Sequence, residues 1–272
     1  MDRCSQGWLS GRKRVEIRAM NAVNAIFYRD YRLRRTNPFL LFWDVAAPLA
    51  YLVLLGIGYE RLMGDSLVID GQSLKYTAFL VPGVLGFVTF SIAVNTSWGF
   101  FMDKDSGIFH EMQTYPLERL DILAGKLAFN VLLAVCSSTL VLAIAVLALH
   151  APVRWEWVPM MVGVTILGQA AQFFVFNALA IRIDQMDAFN AIVGVMYLLL
   201  MFLSSMFYPL ANMAGWFQVL SYLNPMTWQI DLLRFGMLGT GDRTALLAEG
   251  AALVVFTVAT LAITLRVLRR SA

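Results

Sequence analysis

Long uninterrupted apolar runs dominate this chain. Six of them, 39–58, 76–101, 127–149, 157–181, 188–208 and 245–265, approach or exceed the roughly 20 residues that a helix needs to cross a bilayer. The first contains Asp44 and Pro48, the last has Glu249 near its outer end, and 127–149 and 157–181 carry no charge. A lone strand would leave backbone groups unpaired in lipid, so these runs predict helices. The expected fold is an all-α integral membrane protein with six transmembrane helices in one transmembrane domain, 1–272.

The distribution of positive charge gives the orientation. With both termini inside, 16 of the 21 Lys and Arg lie on the cytoplasmic side and five outside, as the positive-inside bias requires. The first long apolar run starts near Phe39, too deep for a secretory leader, and this also places the amino terminus in the cytoplasm.

One stretch resists this simple pattern. "SSMFYPLANMAGWFQVLSYLNPMTW", 204–228, holds no charge but is broken by Pro209, Gly215 and Pro225 and carries Asn212, Gln218 and Asn224. A seventh full span here would put the carboxyl-terminal arginines outside. Two short helices that dip into the outer leaflet and return fit better, making 209–238 an extracellular re-entrant segment. Asn212 is placed to cap a helix over 213–223, and Asn224-Pro225 reads as an N-cap and first-turn pair for the next. Trp216, Tyr222 and Trp228 suit headgroup depth. An ordinary amphipathic outer loop is the other reading.

On the cytoplasmic side, 1–38 holds a polar tail and then "EIRAMNAVNAIFYRDYRLRRTNPF". Met20, Val23, Phe27 and Tyr31 share one helical face and arginines crowd the rest, which predicts an interfacial amphipathic helix ended by Asn37-Pro38. Asp44 sits close enough to the inner headgroups to snorkel or to pair with that arginine-rich helix. The 102–126 loop is the longest cytoplasmic connection. Ser106-Gly107 breaks the preceding helix, Ile108, Met112 and Tyr115 line one side of a short helix, and Pro116 ends it. Such a helix between two spans is a natural docking element, although a solvated loop would carry the same residues.

Composition sharpens the class: 59% of the chain is hydrophobic and 14% charged, against about 25% charged in soluble domains. Cys4 and Cys136 are the two cysteines, one in the polar tail and one in an apolar run, so neither a disulfide framework nor a metal site is expected. His110-Glu111 lacks the second histidine of a zinc helix, and Gly125-Lys126 lacks the other residues of a phosphate-binding loop. Asp184 and Asp187 form one Asp-x-x-Asp pair with no second cluster at matching spacing, so no metal is assigned. The neutral polar residues within the spans include Asn95, Gln169, Gln172 and Asn190. Gln169 and Gln172 share a face with Phe173 and Phe176. Most such residues tie helices together, and a minority could line a substrate path.

Three stretches carry a resemblance: "KYTAFLVPGVLGF" (75–87), "DSGIFHEMQTYPLERLDILAGK" (105–126) and "SSMFYPLANMAGWFQVLSYLNPMTWQIDLLR" (204–234). Together they resemble the membrane-spanning subunits of type-2 ATP-binding-cassette exporters, most closely the nodulation-type lipo-oligosaccharide and antibiotic-resistance permeases. The resemblance implies ATPase coupling through Gly107, Phe109, Glu111, Tyr115, Pro116, Leu117 and Arg119. It also implies an extracellular cap carrying Pro209, Trp216, Asn224, Pro225 and Arg234. It further implies a homodimer with two copies of a cytosolic ATPase, which would supply ATP and magnesium, while this chain binds no cofactor and is no enzyme. The substrate class would be an amphiphile, a lipid-linked saccharide, lipo-oligosaccharide or drug, exported across a bacterial inner membrane. The alternatives are a stand-alone secondary carrier or channel, for which no mid-membrane charge is evident, and a lipid-modifying membrane enzyme using Asp184 and Asp187.

Overall fold

The computed structural model describes residues 22–63, 67–69, 72–108, 111 and 118–270. Helices form where the apolar runs predict them: α1 (22–36), α2 (Pro38–Met63), α3 (Tyr76–Asp105), α4 (Arg119–Leu149), α5 (Val158–Arg182), α6 (Met186–Phe202), α7 (Gly215–Tyr222), α8 (Pro225–Leu238) and α9 (Arg243–Arg270). Five of them, α2, α3, α4, α5 and α9, are long and apolar enough to cross a membrane. A short antiparallel hairpin, β1 (Leu67–Ile69) with β2 (Gln72–Leu74), interrupts the all-α expectation. Ile69 pairs with Gln72, and the intervening Asp70-Gly71 is a dipeptide that two-residue hairpins favour.

The fifth long run behaves differently from the expectation. The helix predicted over 188–208 ends at Phe202, giving 17 residues and about 26 Å of rise. Residues 203–209 leave the helical path because other elements use their backbone. The Tyr76 hydroxyl donates to Phe207 O at 2.8 Å, Arg234 Nη2 donates to Ser205 O at 2.7 Å, and Gly83 packs directly on the Met206 backbone.

α3 is the axis of the bundle, with 89% of its most apolar stretch buried. It packs against α2, α4, α5 and α8, while α9 covers α5 and α8. Edge-on and stacked rings tie the axis to its neighbours: Phe87 with Tyr51 and Tyr197, Phe90 with Phe176, and Phe101 stacked on Phe189 at 4.9 Å. Of the surrounding helices, α2, α4 and α9 bury only one stripe. Their outward faces remain apolar, with Leu54, Leu132, Leu140, Leu147, Val255 and Val258 exposed. Apolar surface on this scale belongs against lipid or another membrane chain.

Candidate functional site

The sequence marked two regions for function, the 102–126 loop and the 209–238 segment. At the loop end, α1 lies across the bundle and is fastened by charge. Arg29 grips Asp103 with both terminal nitrogens, at 2.6 and 3.0 Å. Lys126, at the start of α4's apolar run, reaches the same carboxylate at 3.0 Å and Asp30 at 3.5 Å. Burial works against the Arg29 charge, but its hydrogen bond and attraction to Asp103 outweigh that and raise its pKa. Gly125 permits the approach: a Cβ there would stand 2.7 Å from Ile26 Cβ and 2.9 Å from Val23 O.

This geometry corrects the face predicted for α1. Ala22, Ile26 and Asp30 are its buried stripe, Val23 and Phe27 flank it, and Tyr31 is exposed; Met20 lies outside the described residues. Hydrophobic periodicity points one residue away from this stripe because it counts Asp30 as polar and therefore outward. Lys126 and Arg29 make it an inward residue. Asp44 likewise pairs with α1: Arg34 Nη1 stands 2.5 Å from one carboxylate oxygen, and Asn95 Nδ2 donates to the other at 2.8 Å.

The loop leaves α3 as predicted. Ser106 is the C-cap, Gly107 has φ +78°, and the Glu111 N–H donates to Gly107 O at 3.1 Å. A left-handed residue at this point is the common way to stop a helix, and glycine adopts it without a Cβ penalty. Phe109, Tyr115, Pro116 and Leu117 lie outside the described residues. α4 restarts on a capping box in which the Glu118 N–H donates to Asp121 and the Glu118 side chain accepts in return. Arg119 Nη1 donates to Leu268 O at 2.9 Å, tying α4 to the last turns of α9. Lys104 donates to Ile181 O, Ile183 O and Asp184 Oδ1 at 2.9, 3.1 and 2.6 Å, which clamps α3 to the α5–α6 turn. Hydrogen bonding to Lys104, reinforced by its charge, lowers the Asp184 pKa. Asp184 thus serves as an ion-pair partner, while Asp187 sits exposed in the first turn of α6.

At the opposite end, 209–238 forms two short helices, as expected, with one shifted start. The first begins at Gly215 behind Ala214, and Asn212 belongs to a 3-10 turn over Leu210–Asn212. Pro209 and Ala214 in extended conformation bracket that turn and delay the helix. The second begins as predicted: the Asn224 side chain accepts from the Met226 N–H at 2.9 Å and donates to Leu200 O at 2.8 Å, with Pro225 in the first turn. Trp216 is 67% exposed, so it packs little within the chain. Arg234 is buried. It bonds Asp231 at 2.5 Å and Ser205 O at 2.7 Å, and its guanidinium lies 4.2 Å from the Phe79 ring centre.

The polar residues of the apolar runs separate into two groups. Gln169, Gln172, Phe173 and Phe176 are buried inside the bundle, whereas Asn95 and Asn190 are exposed. Gln172 Nε2 donates to Gln229 Oε1 at 2.9 Å, and Gln229 Nε2 donates to Thr89 Oγ1 at 3.0 Å, joining α5, α8 and α3. Gln169 has both amide atoms buried without a partner among the described residues. Sequence reasoning missed Gln229 and Thr89. It also missed the burial of Glu249, which lies with Asp231 and Arg234 around one cavity. Each acid stands alone in the sequence, and only the packing of α8 on α9 brings them together.

The arrangement is an apolar bundle with an ion-paired collar around a loop at one end and two short helices, the second capped by Asn224, at the other. Comparison with known proteins agrees. Residues 21–238 match the family described as ABC-2 type transporter. The inner membrane transport permease YadH of Escherichia coli K12 is 27% identical over 230 residues, covering 83% of this chain and 88% of its own. The putative transport permease ycf38 of Cyanophora paradoxa is 26% identical over 203 residues, 74% of this chain and 69% of that one. The probable multidrug ABC transporter permease YbhR of Escherichia coli K12 is 25% identical over 165 residues, 60% of this chain and 44% of its own. With the family match extending over most of its length, the chain belongs to the ABC-2 type transporter permeases.

Proposed function

We propose that this chain is the membrane-spanning subunit of an ATP-driven exporter. It pairs with a second copy and with two copies of a separate cytosolic ATPase that supplies nucleotide and magnesium. The export substrate is an amphiphile, a lipid-linked saccharide, lipo-oligosaccharide or drug, and the site of action is a bacterial inner membrane. Six spans with both termini in the cytoplasm place the 102–126 loop where the ATPase can reach it. α6 supplies the sixth span with the turned residues 203–209 completing its depth. The re-entrant 209–238 segment then caps the outer side, with Pro209, Trp216, Asn224, Pro225 and Arg234 in it.

The collar is the observation that carries this reading. Force applied at Gly107, Phe109, Glu111, Tyr115, Pro116, Leu117 or Arg119 acts between α3 and α4, which Asp103 and Lys126 lock to α1. Lys104 passes it to the α5–α6 turn and Arg119 to α9. A push on a short loop therefore moves several helices together, which a two-state permease needs. The names of YadH and YbhR support the inner membrane and a drug-like substrate respectively.

The test is purification in mild detergent from the native membrane, with mass spectrometry of the associated proteins. The expected result is a stoichiometric nucleotide-binding ATPase, lost when Glu111→Ala and Pro116→Ala are introduced together. A permease that arrives without an ATPase, while a control exporter retains its own, would overturn the proposal in favour of a stand-alone carrier.

A further inference from the structure

α8, α9 and the turn between them enclose a cavity of about 240 Å³ beside Asp231, Arg234 and Glu249. Arg234 is engaged through both terminal nitrogens, one to Asp231 and the other to Ser205 O, and its face rests on Phe79, while its Nε is buried with no hydrogen-bond partner among the described residues. It has no such hydrogen bond to Glu249. Glu249 Oε2 and Thr240 Oγ1 are buried with no hydrogen-bond partner among the described residues, although both side chains line the cavity and are at least nine-tenths buried. Asp242 lines the same space, its pKa lowered by hydrogen bonds from the Thr244 hydroxyl and the Ala245 N–H.

The balance of charge is the decisive feature. Among the described residues the lining holds three carboxyl groups, Asp231, Asp242 and Glu249, and one cation, Arg234. No other ionisable side chain of α3, the 203–211 segment or α7 faces it apart from the Tyr222 phenol, and Arg154, which packs against Gly239, is paired with Glu156. Burial disfavours a charge on a carboxyl group that lacks a hydrogen-bonded partner, and a cation entering with its own donors offsets that cost and favours the charged form. Pro209, Leu210 and Leu246 give the lining an apolar part. A divalent metal fits poorly, because hard cations want six or more oxygens and the Arg234 charge opposes them.

We propose that this cavity is a binding site for an organic ammonium group on a short apolar stem, received by the carboxylates of Glu249 and Asp231 and the Thr240 hydroxyl. The site stands on the geometry of this one chain and requires neither nucleotide nor the ATPase. Its failure would leave the exporter reading untouched, and the converse also holds.

The experiment is fluorine NMR on the full chain in lipid nanodiscs without nucleotide. The probes are 4-fluorophenethylammonium and its neutral counterpart 4-fluorophenethyl alcohol. The amine is expected to bind saturably, and the alcohol at least about 10-fold more weakly, as loss of a charge-assisted contact implies. Glu249→Gln should weaken the amine by a similar factor and leave the alcohol unchanged. Ala245→Trp fills the cavity from its exposed rim without touching a charge and should abolish amine binding, which keeps the test open if Glu249→Gln does not fold. Equal binding of amine and alcohol would show an apolar cavity only. Amine binding unchanged by Ala245→Trp would place the probe elsewhere. Either result, or the absence of saturable amine binding, overturns the site.

Discussion

Replacing Asp103 by Asn isolates the collar that fastens α1 to the bundle. Asp103 receives three charge-assisted hydrogen bonds, two from Arg29 and one from Lys126. With Asp30, the native cluster has two cations and two anions. The Asn variant leaves a surplus positive charge. Arg29 is 27% exposed and can turn toward water, but Lys126 is 5% exposed and cannot. Breaking a buried pair by removing one partner costs about 3–5 kcal/mol. The partial exposure of Asp103 and Arg29 reduces that to about 2–3 kcal/mol here. A second change, Lys126→Met, restores neutrality, so the double variant should be no less stable than Asp103→Asn alone. The assay is thermal unfolding of the purified permease in one detergent at one scan rate, since membrane-protein melts are seldom reversible. ATPase stimulation in the assembled complex reads the coupling in parallel. Additivity of the two substitutions within about 0.5 kcal/mol would refute the charge argument, because independent sites add to that precision.

Three further outcomes follow from particular contacts. Gly125→Ala should destabilise by about 1–3 kcal/mol through overpacking against Ile26 and expose α1 to protease, with Ile26→Ala in the same chain recovering part of the loss; normal protection of α1 in Gly125→Ala would contradict the close approach. Gly168→Ala places a Cβ 2.2 Å from Gln229 Cδ and should break the Gln172–Gln229–Thr89 chain. In a double-mutant cycle it should couple to Gln229→Ala by more than about 0.5 kcal/mol, and additive melts would count against it. The Asp184 carboxyl is held below its ordinary value by Lys104, so its bond is present above the usual carboxylate range and is lost as pH falls through the depressed pKa. Hydrogen exchange in the 183–186 turn should therefore rise as pH is lowered from about 5 to 2, after correction for the intrinsic exchange rate, and this rise should vanish in Asp184→Asn; an unchanged rise in that variant would remove Lys104–Asp184 as its cause.

Apolar run length and a few punctuating residues made much of the fold legible. Asn224-Pro225 announced α8 because a cap and its proline act within one turn of chain, and Ser106-Gly107 marked the end of α3 for the same reason. The end of α6 was hidden because nothing in residues 203–208 forbids a helix. Tyr76 and Arg234, 131 and 29 residues away from the carbonyls they claim, draw the backbone out of it. The short hairpin after α2 was not legible, because strands of three residues carry too little pattern beside long apolar runs.

Charge was where the sequence misled most, and the two ends of the bundle show why. A pattern that sorts residues into apolar-inward and polar-outward turns Asp30 away from the core and treats Glu249 as a marker of the outer rim. In the folded chain both are buried. Asp30 is inward because Lys126 and Arg29 neutralise it, so its burial follows from a contact nearly 100 residues along the chain. Glu249 is inward with no hydrogen bond to the Oε2 oxygen among the described residues. Among the described residues the collar at one end is a balanced set of ion pairs, which suits an element that transmits force without changing its own state. Among the described residues the cavity at the other end holds more carboxyl groups than arginines, which suits a site that is completed by something arriving from outside. The same residue types thus serve rigidity at one end and reception at the other, and the difference between them is whether the opposite charge is built into the chain.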